Sequence, residues 1–146
     1  MATPSGDEQE LQKLSMELRY FEQTAENLQQ RLGMLNAAVS DLSHASMTLE
    51  NMEKEKENAE LMVPIGGGNY ISAKLATPDK VVVSLGAGVS IEKTLTEAKA
   101  IVKERIDELQ KTQVSAQQQL SQIAERINSD RTRMESLLSK VRAGQQ

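Results

Sequence analysis

The chain has 146 residues, a net charge of −4 and an aromatic content of only 2%. So few aromatic side chains exclude the deep core of an ordinary globular domain, because such cores take much of their buried area from aromatic residues. The negative charge gives no basis for a nucleic-acid partner, since phosphate binding needs a basic surface. We therefore expect extended helices that pack through a narrow apolar seam and complete their burial by oligomerising.

Cysteine is absent, which excludes disulfides and thiolate metal sites. The opening residues MATPSGDEQE contain no apolar stretch of the kind that secretory signals carry. No apolar run approaches the roughly 20 residues of a membrane-spanning helix. We expect a soluble, cytoplasmic protein without a membrane partner.

The first arm, residues 5–60, is predicted to be one coiled-coil helix. Ser5 and Glu8 have the spacing of a capping box and mark its start. Apolar residues then recur at alternating steps of three and four, which is typical of a coiled coil. These seam positions are Leu11, Leu14, Leu18, Phe21, Ala25, Leu28, Leu32, Leu35, Val39, Leu42, Ser46 and Leu49.

Beyond Leu49 the same register places Glu53, Lys56 and Glu60 on the seam. We expect this last stretch of the first arm to stay helical but to pack poorly.

Residues 61–93 form the only stretch that is rich in glycine and β-branched residues and poor in charge. Alternating apolar residues predict two β-hairpins, with turns at Gly66-Gly67-Gly68-Asn69 and Gly86-Ala87-Gly88. Pro64 lacks an N–H group and predicts an edge or a bulge in the first strand. Open strand edges pair readily with another chain, so this stretch is the predicted oligomerisation region. Its candidate contact residues are Val63, Ile65, Ile71, Leu75, Val81, Val83, Leu85, Val89 and Ile91.

The second arm, residues 94–143, is predicted to be a second coiled-coil helix. Thr94 and Glu97 have capping-box spacing at its start. The apolar register steps by four between Val102 and Ile106, a stutter that locally unwinds a supercoil. The seam positions are Leu95, Ala98, Val102, Ile106, Leu109, Gln113, Ala116, Leu120, Ile123, Ile127, Asp130, Met134, Leu137 and Val141.

Charge favours an antiparallel pairing of the two arms over a parallel dimer. Acidic residues crowd the outer half of the first arm and basic residues the outer half of the second, and an antiparallel hairpin sets them side by side. Each exposed pair is worth only about 0–1 kcal/mol, so the charges bias orientation while the seam supplies stability. These charges are Asp7, Glu8, Glu10, Glu17, Glu22 and Glu26 on one arm and Arg126, Arg131, Arg133, Lys140 and Arg142 on the other.

The whole chain resembles the α-class subunit of prefoldin, of the archaeal type. The resemblance is carried by the strand Val63-Pro64-Ile65, the strand end Lys74-Leu75, and the turn Gly86-Ala87-Gly88-Val89 with the following Glu92-Lys93. A β-class subunit would carry a single hairpin, so the second hairpin at residues 81–91 indicates the α class.

The resemblance implies an ATP-independent co-chaperone. Two α-class subunits would pair through their hairpins into a β-barrel-like platform, and four β-class subunits would complete a hexamer. Coiled coils would extend from the platform, hold unfolded proteins at their outer ends, and deliver them to a group II chaperonin.

The client-binding surface is predicted near the outer end of the two arms. Met16, Tyr20 and Leu138 lie off the seam there, and frayed seam residues would add apolar area. Methionine suits promiscuous binding because it is flexible and polarizable. The seam members of the set are equally open to interpretation as ordinary coiled-coil core; they are Leu11, Leu14, Met134, Leu137 and Val141.

Two other classes of function compete with a chaperone. A coiled-coil scaffold or adaptor would need only the seam and the platform. An enzyme is disfavoured, because Gly66-Gly67-Gly68 lacks the Lys-Ser/Thr of a phosphate-binding loop and His44 has no second ligand nearby in the sequence. We expect no catalytic residue, no metal and no cofactor.

Overall fold

The computed structural model describes residues 3–144, which form two long helices with two β-hairpins between them in the chain. The predicted fold class, mainly helical with a small β insert, is confirmed. The elements in chain order are α1 (Gly6–Met52), β1 (Ala59–Gly66), β2 (Asn69–Leu75), β3 (Lys80–Gly86), β4 (Val89–Thr94) and α2 (Leu95–Gly144). Within residues 3–144, no helix is both long and apolar enough to cross a bilayer.

The chain divides into two compact units. The terminal unit contains residues up to Asn36 and from Lys111 onward, and the central unit is Ala37–Gln110. In the terminal unit α1 and α2 run antiparallel, since Glu10 pairs with Arg133 and Glu17 pairs with Arg126. All the predicted seam residues of this unit are buried or half-buried.

The start of α1 is the predicted capping box. The Glu8 amide donates to Ser5 Oγ at 3.2 Å, and the Ser5 amide donates to the Glu8 carboxylate at 3.3 Å. Two of the amides that the first helical turn leaves without an intrahelical partner are satisfied in this way.

Helix α1 ends at Met52, so the prediction of a helix to residue 60 is wrong. A continued helix would have brought charged residues onto the seam, where they bury no apolar area. Instead Asn58 takes a left-handed conformation with φ of +64°, which asparagine tolerates better than most residues. Its amide donates to the Leu75 carbonyl at 2.7 Å, and β1 begins at the next residue.

The two predicted hairpins form two separate two-stranded antiparallel sheets. In the first, Val63 pairs with Ile71 and Leu61 with Ala73, as the alternation indicates. The register shifts between Pro64 and Gly66, which is the bulge predicted at this proline. In the second, Val83 pairs with Ile91 and the register shifts between Ser84 and Gly86.

The core of the central unit lies where β3 packs on the helices. Its buried members come from α1, β3 and the first two turns of α2. They are Leu49, Val83, Leu95, Ala98 and Val102. The start of α2 is fixed by the predicted cap, in which the Glu97 amide donates to Thr94 Oγ1 at 3.2 Å.

The hairpin turns differ at one equivalent position. Gly67 has φ of +59° and Ala87 has φ of +51°, and a left-handed conformation costs an L-residue with a Cβ about 1–2 kcal/mol. We expect Ala87→Gly to raise the free energy of unfolding by about 0.5–1 kcal/mol, after its own entropic cost, and Gly67→Ala to lower it by about 1 kcal/mol. Denaturant unfolding at equal protein concentration measures both. The same sign for the two substitutions would contradict the prediction.

Candidate client-binding and assembly surfaces

One end of the terminal unit is formed by the start of α1 and the end of α2. The first turn of α1 and the last turns of α2 line one shallow recess there, with Ser5, Asp7 and Glu8 facing Lys140, Val141 and Gly144. We call the part of the terminal unit within residues 3–21 and 126–144 the tip.

Among the described residues of the terminal unit, three ion pairs join the two helices, as the charge distribution predicts. The N···O distances are 2.9 Å for Arg133–Glu10, 2.6 Å for Arg126–Glu17 and 2.8 Å for Arg131–Glu22. Because the partners remain partly solvated, each pair contributes little stability and mainly fixes the direction and register of the pairing.

Two of these ion pairs also shift the pKa values of side chains that form them. The hydrogen bond from Arg133 holds the pKa of the Glu10 carboxyl below its ordinary value, and outweighs the opposing effect of desolvation. The hydrogen bonds to Glu10 and Glu17 raise the pKa values of Arg133 and Arg126. A lowered carboxyl pKa stabilises the folded state above the unfolded pKa. The Glu10 pair therefore contributes at neutral pH and is lost in acid, as the pH falls through the lowered pKa.

Asp130 is the one charged residue buried in the seam among residues 3–144, with an exposed fraction of 4%. Its Oδ1 lies 3.5 Å from Arg126 Nε, and its Oδ2 has no hydrogen-bond partner among the described residues. Arg126 also bonds Glu17 and lies 5.9 Å from the centre of the Phe21 ring. A buried carboxylate with an unsatisfied oxygen costs stability, since desolvation outweighs a single imperfect ion pair.

Asp130→Leu is therefore expected to stabilise the terminal unit by about 1–2 kcal/mol. Hydrogen exchange of the amides near the tip measures the change, because it reports on local opening. In a double-mutant cycle, Arg126→Ala should cost more with Asp130 present than with leucine there. Equal costs in the two backgrounds would show that the aspartate does not depend on Arg126.

The predicted client residues fall into three groups by exposure. Met16 and Tyr20 are 72% and 65% exposed, one turn apart on α1, and Leu138 is 39% exposed on α2. Leu11, Met134 and Val141 are half-buried at the seam margin.

Leu14 and Leu137 are core residues and are not available as a frayed apolar surface. Leu14 is 8% exposed and Leu137 is fully buried, because α2 stays helical to Gly144 and keeps the seam closed. Of the two interpretations that the sequence left open for these residues, the structure favours ordinary coiled-coil core. The exposed apolar surface of the tip is the off-seam set of Met16, Tyr20 and Leu138.

Most of the predicted assembly residues stand exposed on the hairpins. Six of the nine are exposed, Leu75 and Val81 are half-buried, and Val83 is buried against the helices. Val83 is therefore a core residue that anchors β3, and its assignment as a contact residue is corrected. The six exposed residues are Val63, Ile65, Ile71, Leu85, Val89 and Ile91.

Four further large apolar residues on the hairpins are exposed and were not predicted as contacts: Leu61, Met62, Tyr70 and Val82. Met62, Tyr70 and Val82 are more than half exposed and alternate with the predicted set. The unbroken apolar run Leu61-Met62-Val63-Pro64-Ile65 was the available signal, because a strand that is apolar on both faces indicates burial on both. Among residues 3–144, no three His, Asp or Glu side chains gather in a way that could hold a metal ion.

The fold and these surfaces define a class of protein: a coiled-coil hairpin whose two helices are linked by two β-hairpins that carry exposed apolar side chains. Residues 21–140 match the family profile described as "Prefoldin subunit". Curated relatives described as "Prefoldin subunit alpha" include one from Methanococcoides burtonii, 38% identical over 84% of this chain and 88% of the relative. Another, from Methanospirillum hungatei, is 32% identical over 100% of this chain and 97% of the relative.

A solved structure is also similar: filamentous PFD from Methanocaldococcus jannaschii, with a TM-score of 0.67 and 26% identity, over 77% of this chain and 93% of that chain. The chain belongs to the prefoldin family. The resemblance to the archaeal α class is thereby confirmed, and membership supports a co-chaperone role within an oligomeric prefoldin complex.

Proposed function

We propose that this chain is the α-class subunit of a cytoplasmic hexamer of two α-class and four β-class subunits. The hexamer holds unfolded proteins without ATP and passes them to a group II chaperonin. The central unit assembles the complex and the terminal unit contacts clients.

The exposed off-seam residues of the tip carry the client-binding part of this proposal. The buried seam residues are sufficient to hold the two helices together. Met16, Tyr20 and Leu138 lie off the seam and are not needed for this pairing. Large apolar side chains that are exposed on one surface commonly mark a binding site, and Met16 and Tyr20 are exposed one turn apart on α1. Their flexible and amphipathic chemistry suits segments of varied sequence.

The exposed hairpins support the assembly part. Residues 59–75 leave every large apolar side chain of β1 and β2 at least partly in water. An isolated two-stranded hairpin is marginally stable at best, so these strands need further pairing or packing. A β platform shared between subunits supplies both the further strand pairing and the further packing.

The proposal is tested by mixing the chain with a β-class subunit and measuring mass and holdase activity. We expect a complex of six chains that suppresses the light scattering of a denatured protein diluted into buffer, with or without ATP. The scaffold alternative predicts the same mass without any suppression. A complex that holds clients but cannot raise the refolding yield of a group II chaperonin would remove the delivery step alone.

Homomeric assembly is a second candidate, favoured by the exposed hairpin edges and by the filamentous form named for the similar structure. Mass measurement of the chain alone separates the two. A purified chain that stays small until the β-class subunit is added argues against filaments.

A further inference from the structure

Methionine carries all the sulfur of this chain, which has seven methionines and no cysteine. An oxidant such as hydrogen peroxide therefore meets no thiolate and can react with sulfur only at a thioether. The reaction needs access of the oxidant to the sulfur atom, so exposure decides which methionines react first. Among residues 3–144, the methionines that are more than half exposed are Met16, Met34, Met47 and Met62.

Of these four exposed methionines, only Met16 lies in the tip. Met34 and Met47 lie farther along α1, and Met62 lies on β1 in the central unit. The other methionine of the tip, Met134, is half-buried at the seam margin. Met16 is therefore the methionine at which an oxidant in solution meets the proposed client-binding surface.

The apolar patch around Met16 is small and has polar borders. Tyr20 is its helical neighbour at i+4, and the two side chains are 72% and 65% exposed. The other helical neighbours three and four residues away on the same face are polar or charged and exposed; they are Gln12, Lys13 and Arg19. The apolar character of this part of α1 therefore depends on the thioether of Met16 and the ring of Tyr20.

Oxidation of Met16 changes this patch without disturbing the coiled coil. One added oxygen converts the flexible apolar side chain into a polar, chiral one. Because Met16 lies off the seam, the buried residues Leu14 and Leu18 on either side of it in the sequence keep their packing. The sulfoxide therefore removes apolar contact area for clients while the two helices stay paired.

We propose that Met16 is a reversible oxidation site that controls the affinity of the tip for clients. A sulfur lone pair attacks one oxygen of hydrogen peroxide, and the O–O bond breaks as the S–O bond forms. The second oxygen takes the proton of the first and leaves as water, so sulfur loses the two electrons that the peroxide gains. A methionine sulfoxide reductase reverses the step with a dithiol, which becomes a disulfide as the oxygen leaves as water. The inference rests on the client-binding part of the proposed function.

Two full-length chains with matched methionines test this inference. One carries Met34→Leu, Met47→Leu and Met62→Leu and keeps Met16; the other carries Met16→Leu in place of Met34→Leu and keeps Met34. Met34 is the matched control because it lies on the same helix and is 73% exposed, against 72% for Met16. Leucine preserves the apolar volume, and both chains retain the half-buried Met52 and Met134.

Each chain is treated with hydrogen peroxide, freed of it with catalase, and assembled with an untreated β-class subunit. Mass spectrometry locates the sulfoxide, and light scattering of a diluted denatured protein gives the activity before and after treatment. We expect the complex with Met16 to lose several-fold in suppression of aggregation and to regain it after reductase and dithiothreitol, which has no disulfide to break in this chain. The complex with Met34 should keep its own activity, and both should keep their mass.

Suppression that is unchanged by a sulfoxide at Met16 would overturn the inference, as would equal losses in the two complexes. Dissociation of the oxidised Met16 complex, or a Met16 thioether that survives while Met34 is oxidised, would also contradict it. Failure of the proposed function gives a different result, because the untreated complexes would then suppress no aggregation. That outcome would remove the client-binding proposal together with the inference that rests on it.

Discussion

Replacing Met16, Tyr20 and Leu138 together with serine is expected to weaken client binding by at least about tenfold, and to remove most of the suppression of aggregation. Full burial of one large apolar side chain is worth about 1.5–3 kcal/mol, so even partial burial of three accounts for this loss. The assembled complex should keep its mass and its thermal stability, because these side chains lie outside the seam. Light scattering of a diluted denatured protein, titrated with the complex, gives the change.

The terminal unit offers a matched control for this substitution. Met34 and Val114 are 73% and 53% exposed, lie off the seam and are outside the tip. Serine at both positions removes comparable exposed apolar surface, and we expect activity close to that of the unchanged protein. Equal losses from the control and tip variants would mean that clients bind along the coiled coil rather than at its tip. If the tip variant suppresses aggregation as well as the unchanged protein does, the assignment of the tip as the client-binding surface is wrong.

Alanine at Leu137 and alanine at the neighbouring Leu138 are expected to differ sharply in stability. Leu137 is fully buried between the helices, and removing a buried leucine side chain costs about 2–5 kcal/mol. Leu138 is 39% exposed, and a surface substitution of this kind stays within about 0.5 kcal/mol. Denaturant unfolding measures the difference at one fixed protein concentration, because oligomerisation makes stability depend on concentration.

The two alanine substitutions also distinguish a residue of the coiled-coil core from a residue that contacts clients. Leu138→Ala should reduce holdase activity without lowering the free energy of unfolding, whereas Leu137→Ala should lower that free energy and expose amides near the tip to hydrogen exchange. Similar unfolding curves for the two variants would show that the seam opens at the end of α2. The sequence interpretation of Leu137 as a frayed client residue would then be restored.

Several features of the fold could be predicted from local patterns. The capping box at Ser5 depends on a few adjacent residues, and so does the bulge at Pro64. The seam repeats the same spacing over many turns, so its register is determined many times over. Even Asp130 lies where that register places it, in spite of its charge.

Other features depended on residues that are far apart in the chain. The end of α1 at Met52 is tied to a hydrogen bond from Asn58 to Leu75, which no helical pattern contains. Val82 and Val83 are alike in the sequence, but α1 and α2 cover only Val83.

The amino-acid sequence by itself determined the helices, the two hairpins, the antiparallel pairing and the family, because periodicity, turn chemistry and charge order act over short distances or repeat along the arms. Only the tertiary structure decided which apolar side chains remain in water: Leu138 but not Leu137, and Met62 but not Val83. Exposure is set by what other segments bring against a side chain. That is why the candidate surfaces needed coordinates while the fold did not.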